Sequence, residues 1–151
     1  MESNEKIINA LNDLIQINND RIEGYERAEK ETDESDLKSL FSRMAQKSHM
    51  LKSQLGSEVV KRGGKTNEGT TTSGKIFRVW MDFKAALTGK DRKAILSSCE
   101  FGEDAAQNTY ESAIKSSDEF PADIGKLIMD QKSKLREDHD YVKMLRDSVH
   151  A

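Results

Sequence analysis

Cysteine and proline are almost absent from this 151-residue chain, which contains one of each. The lone Cys99 excludes a disulfide bond within the chain and fits a reducing cytoplasm. A single proline and a content of only 6% aromatic residues disfavour a β-fold, because strands are rich in aromatic and β-branched side chains. These shortages predict an all-α protein.

Long apolar runs and an excess of basic charge are missing as well. No apolar stretch approaches the roughly 20 residues of a membrane-spanning helix, and the first residues lack the basic and apolar blocks of a signal peptide. The 24 basic and 27 acidic residues are interspersed along the chain, which argues against a nucleic-acid surface. We expect a cytoplasmic protein with neither a membrane nor a nucleic-acid partner.

Apolar residues recur at intervals of three and four over four long stretches, which predicts four long helices within a single domain of residues 1–151. The first covers about residues 4–32, and the second ends at Gly63-Gly64, a strong helix stop. The third covers about residues 91–116, and the fourth runs from the turn at Pro121 to the end of the chain. Each is long enough to span about 40 Å.

The segment between the second and third long helices is too long for a hairpin turn. Within it, residues 74–87 carry apolar side chains at helical spacing, which predicts a short helix. Such a segment can carry the chain back along the bundle, so that helices 2 and 3 run parallel. The sequence therefore predicts a ferritin-like four-helix bundle with a short crossover helix between helices 2 and 3.

Three segments occur in a specific combination: Asn-Asn-Asp-Arg-Ile-Glu-Gly-Tyr at 18–25, Ser-Gly at 73–74 followed by Arg-Val-Trp-Met-Asp at 78–82, and Cys-Glu-Phe-Gly-Glu-Asp at 99–104 with Tyr-Glu at 110–111. Together they resemble an uncharacterised bacterial family of ferritin-like four-helix proteins, a domain-of-unknown-function family. The resemblance covers nearly the whole chain, and the Cys-Glu-x-Gly-Glu-Asp segment is its most specific part. It implies the fold and brings no known activity with it.

Polar residues fall near the middle of the predicted helices, at positions where leucine would pack better. This mid-bundle layer consists of Asn18, Ser48, Glu103, Gln131 and Asp138, and the inward-facing Tyr25 and Tyr110 can hydrogen-bond into it. One interpretation is a hydrogen-bonded network that fixes the register of the helices. The other is a vestigial site or a site for a single metal ion.

A di-iron centre of the ferritin-like type is not expected. Such centres use Glu-x-x-His pairs on two of their helices. Here the residue three positions before His49 is Gln46, and the residue three positions before His139 is Arg136. An amide and a guanidinium cannot replace the bridging carboxylates, because they carry no negative charge.

The best remaining ligand set is Glu103, Asp138 and His139, which is enough for at most one divalent ion, iron included. Glu103 lies close to the inward stripe of its helix, and Asp138 lies closer to the centre of its stripe than His139 does. Glu100 and Asp104 point away from the stripe, and we expect both to be solvated. No cofactor is expected in the favoured interpretation, and a single divalent metal ion is the alternative.

Four apolar residues of the crossover helix form a candidate self-association patch: Ile76, Phe77, Trp80 and Phe83. Covering the core is their simplest role. Ile76, Phe77 and Met81 make the apolar surface wider than one helix face can bury, so the second interpretation is a homodimer contact.

The sequence contains no phosphate-binding loop of the form Gly-x-x-x-x-Gly-Lys, no nucleophile triad and no zinc-ligand cluster. We therefore expect a non-enzymatic cytoplasmic helical-bundle protein that serves as a structural or interaction module. The alternative is a degenerate ferritin-like carboxylate protein that binds one metal ion or retains weak iron and oxygen chemistry.

Overall fold

The computed structural model describes the backbone of residues 2–149 and the side chains of residues 4–149. Its helices are α1 Glu2–Glu31, α2 Ser35–Lys61, α3 Gly74–Gly89, α4 Arg92–Lys115 and α5 Ala122–Asp147, with a 3-10 turn at Ser117–Glu119. Residues 2–149 contain no strand, which confirms the all-α prediction. None of the helices in this range combines the length and the apolarity that a membrane crossing requires.

Local sequence explains where the helices begin and end. α2 stops where Gly63 adopts a positive φ of 80°, a conformation that costs glycine little. The amide of Gly64 donates to the carbonyl of Val59 at 3.0 Å and so satisfies one of the last free carbonyls of α2. The carboxylate of Asp91 caps α4 by accepting a hydrogen bond from the amide of Lys93 at 3.1 Å.

Side-chain pairs fix the directions of the long helices. On α1 and α4, Asn18 bonds to Tyr110, whereas Tyr25 lies beside Cys99, so these two helices are antiparallel. α1 and α2 are also antiparallel, because a turn of residues 32–34 joins two helices that pack side by side. α2 and α4 therefore run in the same direction, and α3 in the connection between them packs on α4 and α1.

Two apolar clusters fill the interior, one at each end of α1 and the helices around it. The large side chains of the first cluster are Ile7, Leu11, Leu14, Ile15, Ile17, Leu51, Leu55, Tyr110, Ile124, Ile128 and Leu135. The large side chains of the second are Tyr25, Leu37, Leu40, Phe41, Met44, Trp80, Phe83, Leu87, Ile95 and Leu96. Each fully buried large apolar side chain contributes about 1.5–3 kcal/mol. The polar residues described below lie on the helices between these clusters.

The crossover helix α3 is mainly a core element, and two of the four residues of the predicted self-association patch are buried within the chain. Trp80 is 4% exposed and Phe83 is fully buried, whereas Ile76 and Phe77 are half-buried. Ile76, Trp80, Phe83 and Leu87 follow one another at intervals of three and four residues and therefore share one face of α3. α1 and α4 both pack against this face, whereas Phe77 lies outside it.

Trp80 fits between two glycines, one on each neighbouring helix. A Cβ atom added to Gly24 would lie 3.0 Å from Cε3 of Trp80, and one added to Gly102 would lie 3.0 Å from Cη2. Both distances are shorter than ordinary van der Waals contact between carbon atoms. The absence of side chains at these two positions therefore allows the indole ring to enter the core.

Candidate functional site

The centre of the molecule is occupied by the side chain of Arg21, which has no exposed surface. Its guanidinium forms a two-pronged ion pair with Glu103 on α4, from Nε to Oε2 at 2.9 Å and from Nη2 to Oε1 at 3.1 Å. Glu103 is itself only 1% exposed. A bidentate pair of this kind is the strongest and most directional contact that arginine makes with a carboxylate.

Every long helix contributes to the surroundings of Arg21. Nη2 also lies 3.0 Å from Oδ2 of Asp138 on α5, and Nη1 donates a hydrogen bond to Oγ of Ser48 on α2. On α1 itself, the ring of Tyr25 lies 5.2 Å from the guanidinium carbon, within cation–π range. A single cation therefore ties together α1, α2, α4 and α5.

The charges of this centre balance. Arg21 and Lys47 supply two cations, and Glu103 and Asp138 supply two anions, with Nζ of Lys47 2.9 Å from Oδ1 of Asp138. Burial alone would lower the pKa of Arg21, but the adjacent Glu103 outweighs it, with help from Asp138, and the pKa is raised. The guanidinium is therefore permanently charged, and no net negative charge remains to attract a metal ion.

The two groups beside the ion pair that resemble a nucleophile or a proton donor are held in their neutral forms. Tyr25 donates its hydroxyl hydrogen to Glu103, and Sγ of Cys99 lies 3.6 Å from the same hydroxyl. Burial, reinforced by the negative charge of Glu103, raises the pKa of Tyr25 well above its usual range. Burial and Glu103 also raise the pKa of Cys99. A thiol in this state is a poor nucleophile.

A second set of buried polar side chains connects the long helices one turn away along α1. The amide nitrogen of Asn18 lies 2.9 Å from the hydroxyl of Tyr110, which in turn donates to Oε1 of Gln131 at 2.7 Å. Nε2 of Gln131 donates to the carbonyl of Leu51 and to Oε1 of Gln54 at 3.2 and 3.0 Å. The structure thus divides the predicted polar layer into an ion-pair centre and a neutral hydrogen-bonded chain.

The predicted ligand set of Glu103, Asp138 and His139 does not come together. Glu103 and Asp138 share Arg21, whereas Nε2 of His139 lies 2.7 Å from Oδ1 of Asp104 at the edge between α4 and α5. The physical reason is helical geometry, because consecutive residues point about 100° apart. Asp138 reaches the interior, and His139 reaches the flank.

The expectation that Glu100 and Asp104 are solvated is wrong for Glu100. Glu100 is 9% exposed and pairs with Nη1 of Arg146 on α5. The side chain of Asp104 is 48% exposed and pairs with His139. These side chains face the seam between α4 and α5, where residues of α5 cover Glu100.

Sequence reasoning overlooked Arg21, although a signal for it was present. Leu11, Leu14, Asn18, Arg21 and Tyr25 follow one another at intervals of three, four, three and four residues, which is the spacing of an inward-facing seam. Arginine is seldom fully buried, and residue type alone therefore argues against an inward position. The spacing nevertheless places Arg21 on the buried face of α1, where Glu103 and Asp138 are its partners.

The fold and the site define a class of protein: an all-α protein with an arginine-centred network of buried ion pairs. Residues 6–116 match the family described as a domain of unknown function (DUF2383), so this chain belongs to that family. The matched range includes Arg21, Ser48 and Glu103, and it ends before Gln131 and Asp138. No curated protein matches the chain.

Proposed function

We propose that this protein is a non-enzymatic, ferritin-like four-helix bundle that works in the cytoplasm as a structural or interaction module. The observation that carries the proposal is the fully buried guanidinium of Arg21 between Glu103 and Asp138. Ferritin-like enzymes place metal ions between carboxylates at the middle of the bundle. In this chain an arginine takes the position of the cation.

The directions of the helices support the ferritin-like part of the proposal. α1 is antiparallel to α2 and α4, and a connection that contains α3 joins the parallel helices α2 and α4. Among four-helix bundles, a single long crossover of this kind is typical of the ferritin-like group.

The chemistry of the donor set supports the non-enzymatic part. Both oxygens of Glu103 accept hydrogen bonds from Arg21, and both oxygens of Asp138 are paired with Arg21 or Lys47. A metal ion at this position would have to displace a buried arginine, which has no deprotonated form in proteins. These residues do not fit a di-iron centre or a single-ion centre.

An interaction module needs a surface for a partner, and the edge of α3 is the best candidate for a homodimer contact. Two members of the predicted patch, Ile76 and Phe77, remain partly accessible, and Met81 beside them is 48% exposed. Phe77 and Met81 are four residues apart and therefore neighbours on one helix face. A lone thiol that is buried and protonated is compatible with the cytoplasm.

Iron loading tests the proposal. Tag-free protein purified without a chelator is loaded with ferrous ion under anaerobic conditions and then exposed to oxygen. We expect no pair of irons at the centre and no ferroxidase activity. Two irons per chain, with ferroxidase activity that is abolished by Glu103→Ala at an unchanged melting temperature, would overturn the proposal.

A further inference from the structure

A group of potential metal ligands lies outside the centre, at the seam between α4 and α5. Glu100 and Asp104 are one turn apart on α4, and His139 faces them from α5. One ligand atom from each of the three lies within 4.8 Å of the other two. We refer to Glu100, Asp104 and His139 as the seam cluster.

The imidazole of His139 is oriented as a metal ligand would be. Its Nδ1 lies 3.1 Å from Oδ1 of Asp140, and its Nε2 faces Asp104 at 2.7 Å. Histidines that bind metals typically donate the hydrogen of their other ring nitrogen to a carboxylate, which fixes the tautomer and the ring orientation. With Nδ1 donating to Asp140, Nε2 faces the seam cluster, where in the metal-free chain it donates its hydrogen to Asp104, and a bound metal ion would displace that proton.

The cation next to the seam cluster has a second partner to which it can turn. Arg146 pairs with Glu100 through Nη1, and its Nη2 lies 2.8 Å from Oδ1 of Asp147. If a metal ion binds Glu100, the guanidinium of Arg146 still has Asp147 as an ion-pair partner. Metal binding by Glu100 therefore costs less free energy than metal binding by Glu103, whose partner Arg21 is fully buried.

We propose that the seam cluster binds one divalent transition-metal ion of the borderline class, such as Zn²⁺, through Glu100, Asp104 and Nε2 of His139. Carboxylate and imidazole together suit such ions, whereas Mg²⁺ and Ca²⁺ prefer oxygen ligands alone. Three protein ligands leave a fourth tetrahedral position for water. This site is separate from the centre around Arg21 and does not depend on the proposed function.

The experiment uses the full chain without a tag, stripped of metal by a chelator that is then removed. Co²⁺ is titrated in, its visible absorption bands report the coordination, and Zn²⁺ is added to displace it. We expect one Co²⁺ per chain with the absorption of a four-coordinate site, full displacement by Zn²⁺, and no competition from Mg²⁺.

Variants locate the ion. His139→Gln and Asp104→Asn each remove a metal ligand. Loss of a residue that only hydrogen-bonds to a ligand weakens metal binding by about 10- to 100-fold, and these two variants should lose more than that. Asp140→Asn should cost about that 10- to 100-fold, because it removes only the partner of Nδ1. Arg146→Gln should tighten binding, since it removes the competing cation. Circular dichroism of the metal-free variants checks that each one folds.

His49→Gln is the matched control. His49 is a surface histidine with one carboxylate partner, Glu26, whose Oε2 lies 3.0 Å from its Nε2. Among the described residues it belongs to no cluster of three or more potential metal ligands. This variant should bind Co²⁺ as the wild type does. The proposal is wrong if the wild type binds no Co²⁺, if His49→Gln loses binding as His139→Gln does, or if Arg146→Gln weakens binding.

Discussion

At the scale of single residues, Arg21 dominates the energetics of the interior. Desolvating a guanidinium is costly, and ion pairs of good geometry with further hydrogen bonds are needed to offset the cost. Arg21 makes four hydrogen bonds, to Glu103, Asp138 and Ser48 on three other helices. A helix shifted along its axis would leave a buried charge unpaired, and the centre therefore favours one register of the four helices.

Glycine at position 102 is a second residue on which the interior depends. Gly102→Ala places a methyl group 3.0 Å from the ring of Trp80, and the rigid indole cannot move away without disturbing its aromatic neighbours. Overpacking of this kind costs about 1–3 kcal/mol. We expect the free energy of unfolding in urea to fall by this amount.

Gly125→Ala provides the control for that substitution, because a Cβ atom at Gly125 of α5 would meet nothing within 4 Å. Alanine is the better helix former by up to about 1 kcal/mol. Gly125→Ala should therefore leave stability unchanged or increase it. Equal effects of the two substitutions would show that the packing of Trp80 against Gly102 is unimportant.

At the scale of elements, ion pairs connect the first turns of α2 and α4. Arg92 of α4 donates to both oxygens of Asp36 of α2, at 3.1 and 2.9 Å. The hydrogen bonds and charge of Arg92 lower the pKa of Asp36. The pair lies at the surface, where such pairs are worth about 0.2–1 kcal/mol.

The pH dependence of this pair has a definite sign. Because the pKa of Asp36 is lower in the folded state, its contribution is present above the unfolded value of about 3.9 and is lost as the pH falls through the folded pKa. Asp36→Asn should lower the free energy of unfolding by a fraction of a kcal/mol at pH 7. Urea titrations of both proteins should converge as the pH falls below the folded pKa of Asp36; a difference that persists in the most acidic samples would contradict the role of this carboxylate.

The positions of the helices could be predicted from the sequence, but the contacts between the helices could not. Periodicity and the stops at Gly63-Gly64 and Pro121 place the helices to within a few residues, because these signals are local. The partner of Glu103 lies 82 residues away at Arg21, and no local pattern specifies such a pair. Likewise, the burial of Trp80 depends on Gly24 and Gly102, which lie on two other helices.

At the scale of the whole molecule, we expect the partly exposed edge of α3 to mediate a homodimer. Phe77→Glu should convert a dimer into a monomer in light scattering while helicity is retained, since it places a charge in an apolar contact. Trp80→Glu is not a suitable test, because Trp80 is buried within the chain.

Val60→Glu is the matched control for this experiment. Val60 is 65% exposed on α2, whereas α3 packs mainly on α1 and α4. This variant should keep the mass of the wild type. A dimeric wild type whose mass is unchanged by Phe77→Glu would count against the edge of α3 as the contact.

The central claim is that a buried arginine, rather than a metal ion, organises the middle of the bundle. The most direct test is a double-mutant cycle of Arg21→Met and Glu103→Gln, with the free energy of unfolding measured in urea with and without ferrous ion. We predict that each single change costs about 3–5 kcal/mol, because it leaves a buried charge unpaired. The double variant should lose much less than the sum of the two, and any change that ferrous ion makes should be the same in all four proteins, because none of the substitutions touches the seam cluster. Additive losses, or a Glu103→Gln protein of unchanged stability that has lost an iron-dependent stabilisation present in the wild type, would contradict the account.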